Sequence, residues 1–210
     1  MSSLVANTFS AADFARRAMQ RATSAVGEEL GDHLLNPGID LSDSAMTFRD
    51  AAVLVPVVDR NVGPTVILTQ RTAHLRTHSG QVAFPGGSID PQDASPEAAA
   101  LRETTEEIGL SVAAIEIVGR LPIYRTGSGY RIAPILATVT PPFTLAINPD
   151  EVAEVFEVPL AFLMDPANHQ RGSRTWQGCE RFFYTMPFGE HHIWGVTAGI
   201  IRSLYERLYS

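Results

Sequence analysis

The chain has 210 residues, 45% of them hydrophobic, with 16 basic against 23 acidic side chains and a formal net charge of −7. That length supports one domain with extensions around a sizeable core, and the hydrophobic share excludes a disordered chain. A modest acidic excess with no basic tract argues against nucleic-acid binding, and no apolar run approaches the ~20 residues of a membrane-spanning helix.

In chain order, Phe14, Ala18 and Ala22 recur at four-residue steps and predict a helix over 11–25. Asp13, Arg16, Arg17 and Arg21 interrupt this stretch before any secretory hydrophobic core forms. Residues 27–49 mix Gly, Pro, Asp and Ser without periodicity and read as a linker or wrapping loop. The expected division is an N-terminal extension over 1–49 and one domain over 50–210. An apolar strand over 51–58 turns at 59–63 into a β-branched strand over 65–69, giving a hairpin.

The next segment is the most informative. Ser95 suits an N-cap, Pro96 the first helical position, Glu97 the positive end of the dipole, and Gly109 the stop. Between them Ala98, Leu101, Thr105 and Ile108 form a stripe that can pack on a sheet. Glu103, Glu106 and Glu107 lie off that stripe, three and four apart, and are expected to converge on one volume. Like charges repel, so such a cluster calls for a hard divalent cation that also binds phosphate. Arg102, four residues before Glu106, can brace a carboxylate.

Strands follow over 114–124 and 132–139, joined across Gly127, Ser128 and Gly129, and again over 152–158. Residues 160–163 make one helical turn, 181–185 and 192–194 are short strands, and Ile200, Ile201, Leu204 and Leu208 mark a closing helix over 197–209. Strands and helices in this mixed order predict an α/β sandwich. His191 and His192 are adjacent on a strand, point to opposite faces and cannot easily share one ion. Cys179 is the single cysteine, which rules out an internal disulfide and carries no nucleophile motif. A bacterial cytoplasm is the expected compartment. The chain has no lysine, so any cationic contact to phosphate is made by a guanidinium.

At 87–110 the sequence resembles the Nudix box. Arg102-Glu103-Thr104-Thr105-Glu106-Glu107-Ile108-Gly109-Leu110 matches its second half, with Thr104 at an aliphatic position. Gly87 matches its first glycine, Asp93 falls where the first glutamate belongs, and one extra residue separates Asp93 from Arg102. The preceding stretch from Leu68-Thr69-Gln70-Arg71 through His78-Ser79-Gly80-Gln81-Val82-Ala83-Phe84-Pro85-Gly86-Gly87 resembles the coenzyme A pyrophosphatase branch of that superfamily.

The resemblance implies an α/β/α sandwich with a mixed sheet and the Nudix loop-helix. It implies a Mg²⁺- or Mn²⁺-dependent pyrophosphohydrolase, with Glu103, Glu106, Glu107 and the Gly87 carbonyl as metal ligands and Glu106, Glu103 and Arg102 in catalysis. Glu103 and Glu107 rank first as ligands, since their i, i+4 spacing suits a shared ion. Glu151 and Glu154 are outside candidates for the general base. Arg71, Arg76 and His78 are expected at the substrate, with a bracing role for Arg71 and His78 as the alternative. The expected products from coenzyme A or its thioesters are 3′,5′-ADP and 4′-phosphopantetheine or its acylated form. ADP-ribose or NADH would be rival substrates. A module that only senses nucleotides is disfavoured because all three glutamates are present. The expected partner is a small nucleotide, with neither nucleic acid nor membrane. The first fifty residues could cover the core, mediate a homodimer or shape the pantetheine pocket.

Overall fold

The computed structural model describes residues 9–21, 30–37, 47–74, 80–176 and 178–210. Arg76 and His78 lie outside them, as do the end of the expected first helix and much of the expected linker. In chain order the elements are α1 (Ala11–Arg21), β1 (Leu30–Gly31), β2 (Arg49–Val58), β3 (Thr65–Arg71), β4 (Val82–Ala83), β5 (Gly86–Ser88), α2 (Pro96–Ile108), β6 (Ile115–Arg120), β7 (Tyr124–Arg125) and β8 (Tyr130–Val139). Then come β9 (Val152–Pro159), the turn of helix α3 (Leu160–Leu163), β10 (Gln170–Trp176), β11 (Cys179–Phe188), β12 (His191–Trp194) and α4 (Val196–Leu208).

The apolar run of β2 is explained by its central position, since a strand covered on both faces carries hydrophobic residues at every step. It runs parallel to β8 in register from Arg49↔Tyr130 to Val58↔Val139. On its other side it pairs antiparallel with β5 over Ala51–Val53 and with β3 over Val57–Val58. β9 extends the sheet beyond β3, and β6 and β7 pair antiparallel with β8. The sheet is therefore mixed, as expected.

Alternation along β2 divides the core into two layers. Ala52 and Leu54 meet Ala99 and Ala100 of α2, with Ala133, Ile135 and Ala137 of β8. These small side chains let the helix backbone approach the sheet closely. Val55 and Val57 face the opposite layer, where Phe14 and Ala18 of α1 and Ile200, Ile201, Leu204 and Leu208 of α4 are buried. The result is an α/β/α sandwich. A second antiparallel sheet, β10–β11–β12, lies on the α4 side. Its edge strand β10 was not anticipated. Six of its seven residues are exposed, so no alternation of apolar and polar positions announces it.

The expected linker contains ordered structure. Its Asp32 carboxylate accepts the Tyr124 hydroxyl at 2.9 Å and the Gly127 amide at 2.8 Å. Asn36 is buried and acts as a strand-like partner for Phe182, accepting its amide at 2.8 Å and donating to its carbonyl at 2.9 Å. The segment thus ties the turn before β8 to the second sheet.

Candidate active site

The loop-helix of 86–108 is placed by local chemistry. Ser95 Oγ accepts the Ala98 amide at 3.2 Å, Pro96 opens α2, and Gly109 at φ 65 ends it. Upstream, β5 lies flat on β2. A side chain at Gly86 (φ 148) would put its Cβ 2.3 Å from the Ala52 carbonyl oxygen, so only glycine fits this pairing. At Gly87 a Cβ would fall 2.5 Å from the Glu103 carboxyl group. Absence of a side chain there is what lets that carboxylate lie on the turn.

The buried face of α2 is rotated by about one residue from the expected stripe. Ala100, Thr104, Glu107 and Ile108 point inward, whereas Thr105 is exposed. Thr104 tolerates burial because its hydroxyl donates to the Ala100 carbonyl at 2.6 Å. This rotation separates the three glutamates, and the expected single volume holds only two of them. On a helix, Glu106 and Glu107 diverge to opposite sides of Glu103. Glu107 is 2% exposed and faces a cavity of about 550 Å³ together with Glu103. Glu106 remains on the outer flank, outside the cavity lining, with its carboxylate 3.1 Å from Arg102.

Arg102 gathers the flank. It donates twice to Asp93, at 3.1 and 2.9 Å, and once each to Glu103, Glu106 and the Ser88 carbonyl. These hydrogen bonds hold the Asp93 carboxyl below the usual carboxylate range. A function for Asp93 in fixing Arg102 is the structural counterpart of its position in the box.

Inside the cavity the electrostatics differ. Glu107 accepts the Gly86 amide at 3.0 Å and lies 3.3 Å from an Arg71 guanidinium nitrogen. Burial outweighs both contacts and pushes Glu107 up to about 7, with Glu151 and Glu103 adding repulsion. Burial raises Glu103 as well. Arg71 therefore braces the box in this structure, while also lining the cavity.

Glu151 is brought to the same end. The loop before β9 hydrogen-bonds to the end of α2, Ala146 to the Ile108 carbonyl and Asn148 to that of Glu107, each at 2.9 Å. Asn148 then donates to Glu151 at 3.2 Å. Glu154 is not part of the cavity lining. It meets His191, whose ring stacks on Phe156 at 3.6 Å, while His192 bonds Thr185.

The far wall comes from the end of β12 and the start of α4, where Trp194, Gly195, Val196, Thr197 and Ile200 line the cavity. Facing them, Ala51, Val53, Tyr130 and Ile132 form the sheet floor, and Thr126 and Ser128 supply hydroxyls at the rim. No local motif marks these residues, which the pairing of β2 with β8 brings together. The sequence signal that could have found them is the period-two alternation of Ala51, Val53 and Ile132 on one face.

Hard oxygen donors at this end suit a divalent cation. Two carboxylates, both destabilised as anions by burial, face one cavity beside a turn without a side chain. Among the described residues no three His, Cys, Asp or Glu side chains are grouped closely enough to cage a metal unaided. This donor set fits an ion that takes one or two protein carboxylates and completes its shell with water and substrate phosphate. Among the described residues no helix is long and apolar enough to cross a membrane.

Comparison with known proteins gives an independent result. A family model described as NUDIX domain matches residues 48–176. The chain is 40% identical over 171 residues to the uncharacterized Nudix hydrolase NudL of Escherichia coli (strain K12), a match covering 81% of this chain and 88% of that one. NudL of Shigella boydii serotype 4 (strain Sb227) matches to the same extent. Among solved structures, a C. elegans Ap4A hydrolase binary complex aligns with a TM-score of 0.45 at 23% identity, over 54% of this chain and 81% of that one.

Proposed function

The chain belongs to the Nudix hydrolase family and is a pyrophosphohydrolase, and we propose that it cleaves the diphosphate of coenzyme A or acyl-coenzyme A in the cytoplasm. The observation that carries this reading is where the 68–87 stretch falls. Arg71, residues 81–84, Gly86 and Gly87 all line the cavity that holds Glu103 and Glu107. The described part of the segment resembling the coenzyme A branch therefore contributes cavity wall. The two-ended shape agrees with a substrate that joins a diphosphate to a long, partly apolar arm.

Glu103 and Glu107 would hold Mg²⁺ or Mn²⁺ with the Gly87 carbonyl, and Glu106 would join from the flank it shares with Arg102. A bound divalent ion neutralises the diphosphate and lowers the pKa of water. Arg71 stands beside Glu107 and has N–H donors to turn toward a phosphate oxygen. Arg102 keeps Glu103 directed at the Gly87 turn. Glu151 faces the cavity, and among the described residues no cation is paired with it, so it is the carboxylate available to accept a proton from attacking water. Arg76 and His78 are assigned to substrate contact on the strength of the resemblance.

The test is a turnover screen with Mg²⁺ or Mn²⁺ across coenzyme A, acetyl-coenzyme A, ADP-ribose and NADH. The expected result is the highest kcat/KM for the first two, releasing 3′,5′-ADP. Faster hydrolysis of ADP-ribose or NADH would overturn the coenzyme A assignment.

A further inference from the structure

At the mouth of the cavity the sheet floor ends in an arginine stacked on a tyrosine. Arg49 pairs with Tyr130 across β2 and β8, and its guanidinium carbon sits 4.1 Å from the centre of the Tyr130 ring. Side chains two apart on a strand share a face, so Arg49 projects on the same side as Ala51 and Val53, which line the cavity with Tyr130. The backbone is fixed as well, because the Arg49 amide donates to the Gly129 carbonyl at 2.9 Å and Asp32 holds the neighbouring Gly127.

Several of the chain's arginines are neutralised by carboxylates. Arg131, the next residue on β8, is bidentate to Asp50 at 2.7 Å, and Arg60, Arg71 and Arg102 all meet carboxylates. Among the described residues no carboxylate is paired with Arg49. Stacking on a ring face uses none of the five guanidinium N–H donors, so a planar fork stands open beside an aromatic surface. Gly87, against the Glu103 carboxylate, is opposite Ala52. Three residues of strand separate Ala52 from Arg49, about 10 Å. A nucleotide whose diphosphate lies at Glu103 can extend its nucleoside toward Arg49 over that spacing.

We propose that Arg49 and Tyr130 form a specificity site for a phosphate monoester carried on the substrate's nucleoside. Arg49 binds the phosphate through its fork, and Tyr130 offers its ring to the sugar and base. The inference rests on the coenzyme A reading and deepens it. The site selects nucleotides bearing this additional phosphate over those with a bare ribose, and it does so without touching the reacting bond.

The experiment compares coenzyme A with 3′-dephospho-coenzyme A in wild type, Arg49→Ala and Arg49→Lys. A charge-assisted contact predicts that Arg49→Ala raises KM for coenzyme A about ten- to a hundredfold and leaves kcat and the dephospho substrate within about twofold. Arg49→Lys, which keeps charge but loses the fork, falls between them. Equal losses on both substrates, or no loss on either, overturn the proposal. Calorimetric binding of 3′,5′-ADP against 5′-AMP separates the two claims. Should wild type hydrolyse neither coenzyme, the function assignment fails. Tighter binding of 3′,5′-ADP that disappears in Arg49→Ala still upholds the site, and equal binding of the two nucleotides refutes it.

Discussion

At one end of the cavity Arg71, Glu103, Glu107 and Glu151 crowd together, and two of the carboxylates are driven toward their neutral forms by burial. At the other, Trp194, Val196 and Ile200 face Val53 and Ile132, and among the described residues no carboxylate or guanidinium lines that wall. The first end is costly to fold and becomes favourable only when a counter-charge arrives. The second is stabilised by the same burial that builds the core. Chemistry should therefore fail when the acidic end is altered and fold survive, while changes at the apolar end should move affinity.

The strongest test of that contrast is Glu103→Gln or Glu107→Gln. Either should lower kcat by about a thousandfold, the scale of losing one electrostatic stabiliser, with an unchanged circular dichroism spectrum. Near-normal turnover would remove the metal assignment. Gly87→Ala comes next, since its new methyl must displace the Glu103 carboxyl. A loss of roughly thirtyfold in kcat with little change in Tm is expected, as the displaced group is the end of a flexible side chain. At the apolar end, Trp194→Ala should raise KM about tenfold and leave kcat within twofold in steady-state kinetics. A larger effect on kcat would erase the distinction between the two ends.

A smaller effect concerns pH. Glu107 is raised from an ordinary 4.5 to about 7. Between those values the unfolded chain releases its proton before the folded one, so the metal-free protein loses stability as pH rises through that window. Differential scanning fluorimetry should show Tm falling by a few degrees from about pH 4.5 to 7 and flattening in Glu107→Gln. Mg²⁺ should restore Tm above pH 7 and do little at pH 4.5. The smallest change is expected from Cys179→Ser, at an exposed position outside the cavity, where activity and Tm should stay at wild-type values.

These contrasts also account for what could be read from the chain alone. Helix α2 was legible because its signals are local: the Ser95 cap, Pro96, the Gly109 stop and the i, i+4 spacing of Glu103 and Glu107. Its rotation was not, because Thr104 and Thr105 are the same residue type, each donates its hydroxyl to the carbonyl four residues before it, and only docking on the sheet decides which is buried. The apolar wall was missed for a different reason. Val53, Ile132, Trp194 and Ile200 come from four elements, and only the pairing of β2 with β8 and the docking of α4 unite them. The ordered run at 30–36 has almost no periodicity, since apart from the buried Leu30 its ties are the polar contacts of Asp32 and Asn36.

That run has a kinetic implication. The Asn36 amide closes a ring 146 residues around onto Phe182, so it cannot engage until most of the polypeptide has been synthesised. Closure entropy grows slowly with length, but contacts this distant in sequence form late. The acidic helix can thus mature on a nascent chain well before the groove around it is sealed, and residues 30–36 are the stitch drawn tight at the end.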